Sequence, residues 1–353
     1  MVSEKYVDIF SELGKHFSFA VDLSGFIENQ HDSPTAILAG EIRNAHRDNP
    51  WFTPDFARHA FSAWGKALRE DDLRKWLGSY DNRISRRHDP RNVALIMAGN
   101  IPAVGLHDLL CGITSGHNLL IRFSSADNRL IPAVLQILFK IEPSLESRIK
   151  TCEGPMKNFD AIIATGSNNS ARYFEYYFGK YPHIIRKNRN GLAVITGNET
   201  SQELGLLADD VFMYFGMGCR NVSGVYLPEG YSLQNLWPHF QHYSYVQDHN
   251  KYRNNYDYQK SVMIINNIPH EDNGFLMAVE NPALISPVAV LNYSVYHSLD
   301  LLNQQLPDIR DQIQCIVSHR DLALPVVPFG QSQHPRLWDY ADGVDTMEFL
   351  LNI

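Results

Sequence analysis

Four turns in this 353-residue chain carry side chains able to do chemistry. The first is Gly216-Met217-Gly218-Cys219-Arg220-Asn221, between a helix-patterned stretch and an apolar run. Its glycines let the backbone bend closely around the thiol. A cysteine there can be exposed at a cleft, where nearby amides or Arg220 would lower its pKa and make it a nucleophile. The competing reading is a small buried hydrophobe, the usual state of a cysteine outside a disulfide. The second turn is Gly99-Asn100-Ile101-Pro102. The Asn100 amide can donate to a developing oxyanion, or Asn100 is simply a turn residue. Arg122, near the end of an apolar run, and Ser167, in Thr165-Gly166-Ser167 ahead of a helix-patterned stretch, both suit a phosphate. Small residues at a helix N-terminus bind anions readily. Each also has an ordinary turn or surface reading.

Other patterns fall away. His319-Arg320-Asp321-Leu322 copies the opening of a kinase catalytic loop, but Val326 stands where that loop needs asparagine, and the Gly-rich kinase loop is absent. There is no Walker A motif, no GxSxG and no HExxH, and the histidines do not fall in metal-ligand spacing. No metal is expected.

The elements that must position these turns follow from hydrophobic spacing. Residues 52–77 read as one helix opened by Thr53-Pro54, with Trp64, Leu68, Leu73 and Leu77 as packing residues. Strands are expected at 92–98, 118–123, 159–164 and 191–196, alternating with helices at 104–114, 129–141, 169–181 and 200–214. A further strand is expected at 222–227. Strands alternating with helices imply βαβ units and a parallel sheet, so the fold class is α/β. Ligands on such sheets sit at the carboxyl ends of strands, where three of the four turns lie. The remainder is mixed α/β, with apolar runs at 261–265, 285–291 and 314–318, and the Asn/Tyr-rich stretch 247–258 reads as a surface loop.

The chain is 44% hydrophobic and 20% charged, with a net charge of −8, an ordinary composition with material for two domains. No basic block favours nucleic acid; Arg83-Ile84-Ser85-Arg86-Arg87 and Arg186-Lys187-Asn188-Arg189 are short and interrupted and read as solvated or phosphate-facing surface. The first residues lack the basic and apolar regions of a secretory signal. No apolar run is long enough to span a bilayer. Cysteines 111, 152, 219 and 315 show no CxxC pairing and read as reduced thiols of a cytoplasmic protein.

Taken in order, the turns resemble the aldehyde dehydrogenase superfamily. They are most similar to its acyl-CoA reductase branch, typified by the fatty acid reductase of bacterial luminescence. The segments that carry the likeness are MAGNIPAVGLHDLL, GHNLLIRFSS, ATGSNNS, FGMGCRNVSGVYLPEG and VPFGQSQHPRLWDYADGVDTMEFL, within residues 50–353. The resemblance implies a Rossmann-like cofactor domain with a helical N-terminal region over 1–190, and an α/β catalytic domain with a C-terminal tail over 191–353. It makes Cys219 the nucleophile and Asn100 the oxyanion donor. It places Arg122, Ser124 and Ser125 at the adenosine ribose, Gly166 and Ser167 at the pyrophosphate, and Glu280 near the nicotinamide ribose. Ser125 stands where NAD-preferring members carry a glutamate, so NADPH is the expected cofactor, with NADH possible. The superfamily's Glu-Leu-Gly-Gly base corresponds to residues 185–188, Ile-Arg-Lys-Asn, which hold no carboxylate. The implied activity is reduction of an acyl thioester, from acyl-CoA or an acyl carrier, to an aldehyde. The alternatives are a CoA-acylating aldehyde dehydrogenase or a non-catalytic acyl-binding relative. An acyltransferase or acyl-protein synthetase partner and a homo-oligomer are further expectations from the family.

Overall fold

The computed structural model describes residues 2–24, 33–85 and 89–353. Arg86 and Arg87 of the first basic stretch lie outside the described residues. The chain forms two compact units, Met1–Lys187 with Arg336–Ile353, and Asn188–Pro335.

The first unit is built on a parallel sheet of five strands, β1 (Asn92–Ile96), β2 (Asn118–Arg122), β3 (Ile149–Thr151), β4 (Ala161–Thr165) and β5 (His183–Arg186), in the order β3-β2-β1-β4-β5. In β1, Val93, Ala94 and Leu95 are all buried, as a strand covered on both faces requires. Helices precede it. Val2–Ser24 buries Val7, Phe10, Leu13, Phe17 and Ala20, a helical stripe of apolar residues. It crosses its neighbour closely: a Cβ on Gly14 would lie 2.9 Å from Leu68 Cβ.

The single helix expected over residues 52–77 is two, Pro54–Ala67 and Glu70–Gly78. Leu68 and Arg69 leave the helical region between them. Glu70, Asp71 and Asp72 then open the second helix, where acidic side chains favour the positive end of the dipole. The expected packing residues Leu68, Leu73 and Leu77 are buried, and Trp64 is half-buried.

The last stretch, Arg336–Ile353, packs into the first unit. Leu337, Met347 and Leu350 join the first unit's core. Trp76 Nε1 donates to Tyr340 Oη at 2.7 Å, and His117 Nε2 meets Leu350 O at 2.9 Å. Arg186 makes a two-pronged ion pair with Asp108 and donates to Thr346 Oγ1 at 2.9 Å. Both partners of the pair are buried, and removing one partner from such a pair costs about 3–5 kcal/mol. These polar anchors are far apart in sequence, which is why apolar spacing misses them.

The second unit is a seven-stranded sheet, β6 (Asn190–Val194), β7 (Val222–Pro228), β8 (Glu271–Asp272), β9 (Met277–Glu280), β10 (Val290–Tyr296), β11 (Ile313–Val317) and β12 (Val326–Val327), ordered β12-β11-β6-β7-β10-β9-β8. Only β8 runs antiparallel among its described pairings. The stretch expected as a surface loop, residues 247–258, is largely helix: Asn250–Ile265, capped by His249. Tyr252 and Tyr256, one turn apart, are buried and anchor it, with Tyr252 Oη donating to Phe275 O at 3.0 Å. Its Asn-rich composition hides those two anchors. The apolar run 261–265 is the last turn of this helix, and the run 285–291 reaches β10 only at Val290, after Pro287.

Candidate active site

In the first unit the chain leaves β1 for β2 on one side and reaches β4 on the other, so the strand order reverses between β1 and β4. The carboxyl ends of those strands flank the crevice where open α/β sheets bind ligands. The turn holding Asn100 follows β1, and Gly166-Ser167 follows β4. Ser167 caps the helix Asn168–Phe178, its Oγ accepting from Ser170 N at 3.2 Å, and Ser167 is exposed. A Cβ on Gly166 would lie 2.8 Å from Ser170 Cβ and 3.0 Å from the Phe174 ring, so only glycine lets the chain enter this helix so closely.

β2 delivers Arg122 to the same edge, exposed; its carbonyl accepts from Met97 N at 3.0 Å, and its guanidinium has no hydrogen-bond or ion-pair partner among the described residues. Ser124 packs against the backbone of Gly99, where a Cβ would meet its Oγ at 2.6 Å. Ser125 is exposed. Asp127 fastens this region: one oxygen accepts from Ala103 N at 3.0 Å, the other from Leu130 N at 3.2 Å. Ala103 has φ 56°, a left-handed conformation that this bond helps to hold. Burial pushes the Asp127 carboxyl up to about 6, and the amides that donate to it oppose the shift. The edge thus offers a helix N-terminus, small residues and the Arg122 guanidinium, unpartnered among the described residues, a donor set that suits the phosphates of a dinucleotide.

In the second unit Cys219 lies on the turn that leads into the amino end of β7. The helix Ser201–Phe212 ends just before it, and Tyr214, Phe215 and Gly216 follow with φ of 53°, 56° and 74°. Two bulky left-handed residues in succession are costly, about 1–2 kcal/mol each. Burial of both side chains, with the Phe215 ring centred 4.4 Å from that of His249, holds them. The thiol turn is then closed twice: Asn221 N donates to Gly218 O at 3.0 Å, and Gly218 N donates to Asn221 Oδ1 at 2.8 Å. Arg220 Nε donates to Ser332 O at 2.7 Å. Asp210 accepts from Gly330 N at 2.7 Å and Ser332 N at 2.9 Å, so residues 330–332 are tied to the helix that precedes the turn. Burial pushes Asp210 up to about 6, against the pull of those amides and the Ser332 hydroxyl.

Cys219 is half-buried. Of the other thiols, Cys111 is fully buried and pushed well up by burial. Cys315 is buried and donates to Arg220 O at 3.6 Å, and half-buried Cys152 donates to Gly154 O at 3.4 Å.

The sheet edge of the first unit gathers Asn100, Arg122, Ser124, Ser125, Gly166 and Ser167, and the second unit holds Cys219 and Glu280. Glu280 ends β9, exposed, beside Tyr293, which pairs with Val225. It therefore stands level with the fourth residue of β7, not with the end that carries the thiol. Of residues 185–188, Arg186 is committed to Asp108 and Thr346, and Lys187 pairs with Glu175 at 2.9 Å. Sequence reasoning misses Asp127, Asp210 and Asn221. Each is a buried polar residue whose role is read from its partners; the one local signal is that Asn221 is the last residue of the thiol motif. Among the described residues no group of three or more His, Cys, Asp or Glu is placed to hold a metal ion, and no helix is long and apolar enough to cross a membrane.

No protein-family model matches the sequence, and no curated protein matches it. Solved structures do. Aldehyde dehydrogenase 21 from Physcomitrella patens, in complex with the reaction product succinate, is 11% identical over 99% of this chain and 88% of its own, with a TM-score of 0.63. An acetylating aldehyde dehydrogenase from Geobacillus thermoglucosidasius is 10% identical over 91% and 77%, with a TM-score of 0.56. An NADP-dependent enzyme from E. coli is 11% identical over 91% and 78%, with a TM-score of 0.57. The chain has the aldehyde dehydrogenase fold, α/β with parallel sheets.

Proposed function

We propose that this protein is a nicotinamide-dependent oxidoreductase that reduces an acyl thioester to an aldehyde through a cysteine-bound acyl group. The observation that carries the reading is the Cys219 turn: a half-buried thiol between two glycine-bearing bends and a strand, within an aldehyde dehydrogenase fold. In this reading the Cys219 thiolate attacks the thioester carbon and the carrier thiolate leaves, forming an acyl-enzyme. Asn100 is assigned to hydrogen-bond the oxyanion. Arg122, Ser124, Ser125 and the Gly166-Ser167 helix start hold the phosphates and ribose of the cofactor, and Glu280 is the candidate for its nicotinamide ribose. Reduced nicotinamide, when bound, supplies the hydride that takes the acyl group to the aldehyde level. Cys219 then leaves as the thiolate and the aldehyde is released.

Hydrolysis of the acyl-enzyme to free acid needs a base to activate water, and the stretch 185–188 offers only Arg, Lys and Asn as polar groups. That favours exchange with a thiol carrier over an ordinary acid-forming dehydrogenase. Oxidation of an aldehyde in the reverse, CoA-acylating direction uses the same residues. The expected phosphate preference is for NADPH, since Arg122 presents a planar fork and no carboxylate stands at Ser125. A soluble cytoplasmic homo-oligomer supplied by an acyltransferase or acyl-protein synthetase completes the proposal. The test is aldehyde and NADP with and without CoA: reduction of NADP should require the thiol. Brisk CoA-independent acid formation would replace this reading with an ordinary aldehyde dehydrogenase.

A further inference from the structure

The Cys219 turn hangs from one side chain that no sequence motif assigns. Asn221 is fully buried. Its Oδ1 accepts from Gly218 N at 2.8 Å. Its Nδ2 donates to Met213 O at 2.9 Å and Asp210 O at 3.0 Å, with Val211 O at 3.4 Å. The last carbonyls of a helix have no partner within the helix and carry the negative end of its dipole. Here those carbonyls, at the end of Ser201–Phe212, converge on one amide. The strand side is closed as well: Gly191 N donates to Asn221 O at 2.8 Å.

We infer that Asn221 is the positioning residue for the nucleophile, and the inference rests on Cys219 being that nucleophile. It acts in two ways. Its Oδ1 and backbone N–H pin both ends of the Gly218–Asn221 turn, fixing the course of the chain through Cys219. Its Nδ2 satisfies the helix-end carbonyls, so their negative potential is met by an amide before it reaches the thiolate. The left-handed run Tyr214–Phe215–Gly216 ends at this turn, and the bond to Met213 O holds its start. A carboxamide is the one side chain of this length and shape that accepts on one arm and donates twice on the other. Charged groups on the elements it joins are Asp210, whose carboxyl faces Gly330 and Ser332, its neighbour Asp209, and Arg220, whose Nε is on Ser332 O.

The experiment is the pH profile of Cys219 alkylation by iodoacetamide in the full-length protein, site by site by peptide mass. It needs no substrate and so separates this inference from the proposed reaction. In Asn221→Ala and Asn221→Asp the midpoint should rise by about one pH unit, with about tenfold slower labelling at pH 7. Cys111, fully buried, reports folding, because it labels only in a protein that has opened. Should both variants open, the wild type decides. The side-chain amide resonance of Asn221 should titrate with the same midpoint as Cys219 and stop titrating in Cys219→Ala. A folded variant with an unchanged midpoint, or an amide resonance indifferent to the thiol, overturns the inference. A shifted midpoint in a protein whose wild type reduces no thioester leaves Asn221 in its role and removes the proposed activity.

Discussion

Replacing Gly191 by alanine is the smallest change expected to move the Cys219 turn. Gly191 is the second residue of β6, and its missing side chain faces the backbone of that turn. A Cβ there would lie 2.6 Å from Arg220 O, 2.9 Å from Asn221 O and 3.0 Å from Asn221 C. All three are backbone atoms, so no rotamer change relieves the clash. Bringing the shortest contact back to an acceptable separation moves the turn or the strand by about 0.6 Å or more. Forcing a methyl into a packed interior costs about 1–3 kcal/mol, seen as a fall in Tm of several degrees. A nucleophile displaced by approaching 1 Å loses up to about a hundredfold in rate. The expected result is therefore a folded protein with a lower Tm, kcat for acyl-CoA reduction down about ten- to a hundredfold, and unchanged cofactor affinity. Gly205→Ala is the control, since a Cβ there meets nothing within 4 Å inside the helix Ser201–Phe212. It should gain about 0.5–1 kcal/mol of stability and keep its activity. A Gly191→Ala protein with wild-type Tm and kcat would show that the turn is not held against β6 as described.

Asn100→Ala should lower kcat by about a hundredfold or more with the fold intact, the usual cost of one oxyanion donor, and unchanged turnover would return Asn100 to a turn role. Arg122→Ala should weaken NADPH binding much more than NADH binding in a fluorescence titration; equal losses would mean that Arg122 does not read the 2′-phosphate. Asp127 titrates at about 6 in the folded chain, above its value of about 3.9 in an unfolded one. The folded state therefore holds this proton more tightly, a stabilising contribution complete below about pH 4 and lost as pH rises through about 6. Comparing denaturant unfolding of the wild type and Asp127→Asn at pH 4, 5 and 7 should show a steeper slope in the wild type, the variant keeping only what other raised carboxyls such as Asp210 contribute.

The parallel first sheet was legible because buried strands such as Val93–Leu95 are continuous apolar runs bounded by Gly, Pro and Asn. Its edge strands were not, because β3 has three residues and β5 four, too short for any period to show. The helix Asn250–Ile265 was hidden because tyrosine and asparagine composition speaks for a loop, while the two burying tyrosines are recognised only once Phe275 and Asp272 are seen beneath them. In the candidate site, the turn residues were legible: Cys219, Asn100 and Ser167 lie next to strand and helix ends that the pattern locates. The residues that hold those turns were not. Asp127 reaches Ala103 across 24 positions, and Asp210 reaches Ser332 across 122. A buried carboxylate satisfied by distant backbone amides leaves no periodic trace in a sequence.

The central claim is that Cys219 takes up an acyl group from a thioester. Intact mass after incubation with acyl-CoAs of graded chain length, without and then with NADPH, tests it most directly. The account predicts an adduct of one acyl group for the preferred lengths, located on the Cys219 peptide, absent from Cys219→Ala, and discharged as aldehyde when NADPH is added. A stable acyl adduct surviving in Cys219→Ala would contradict it.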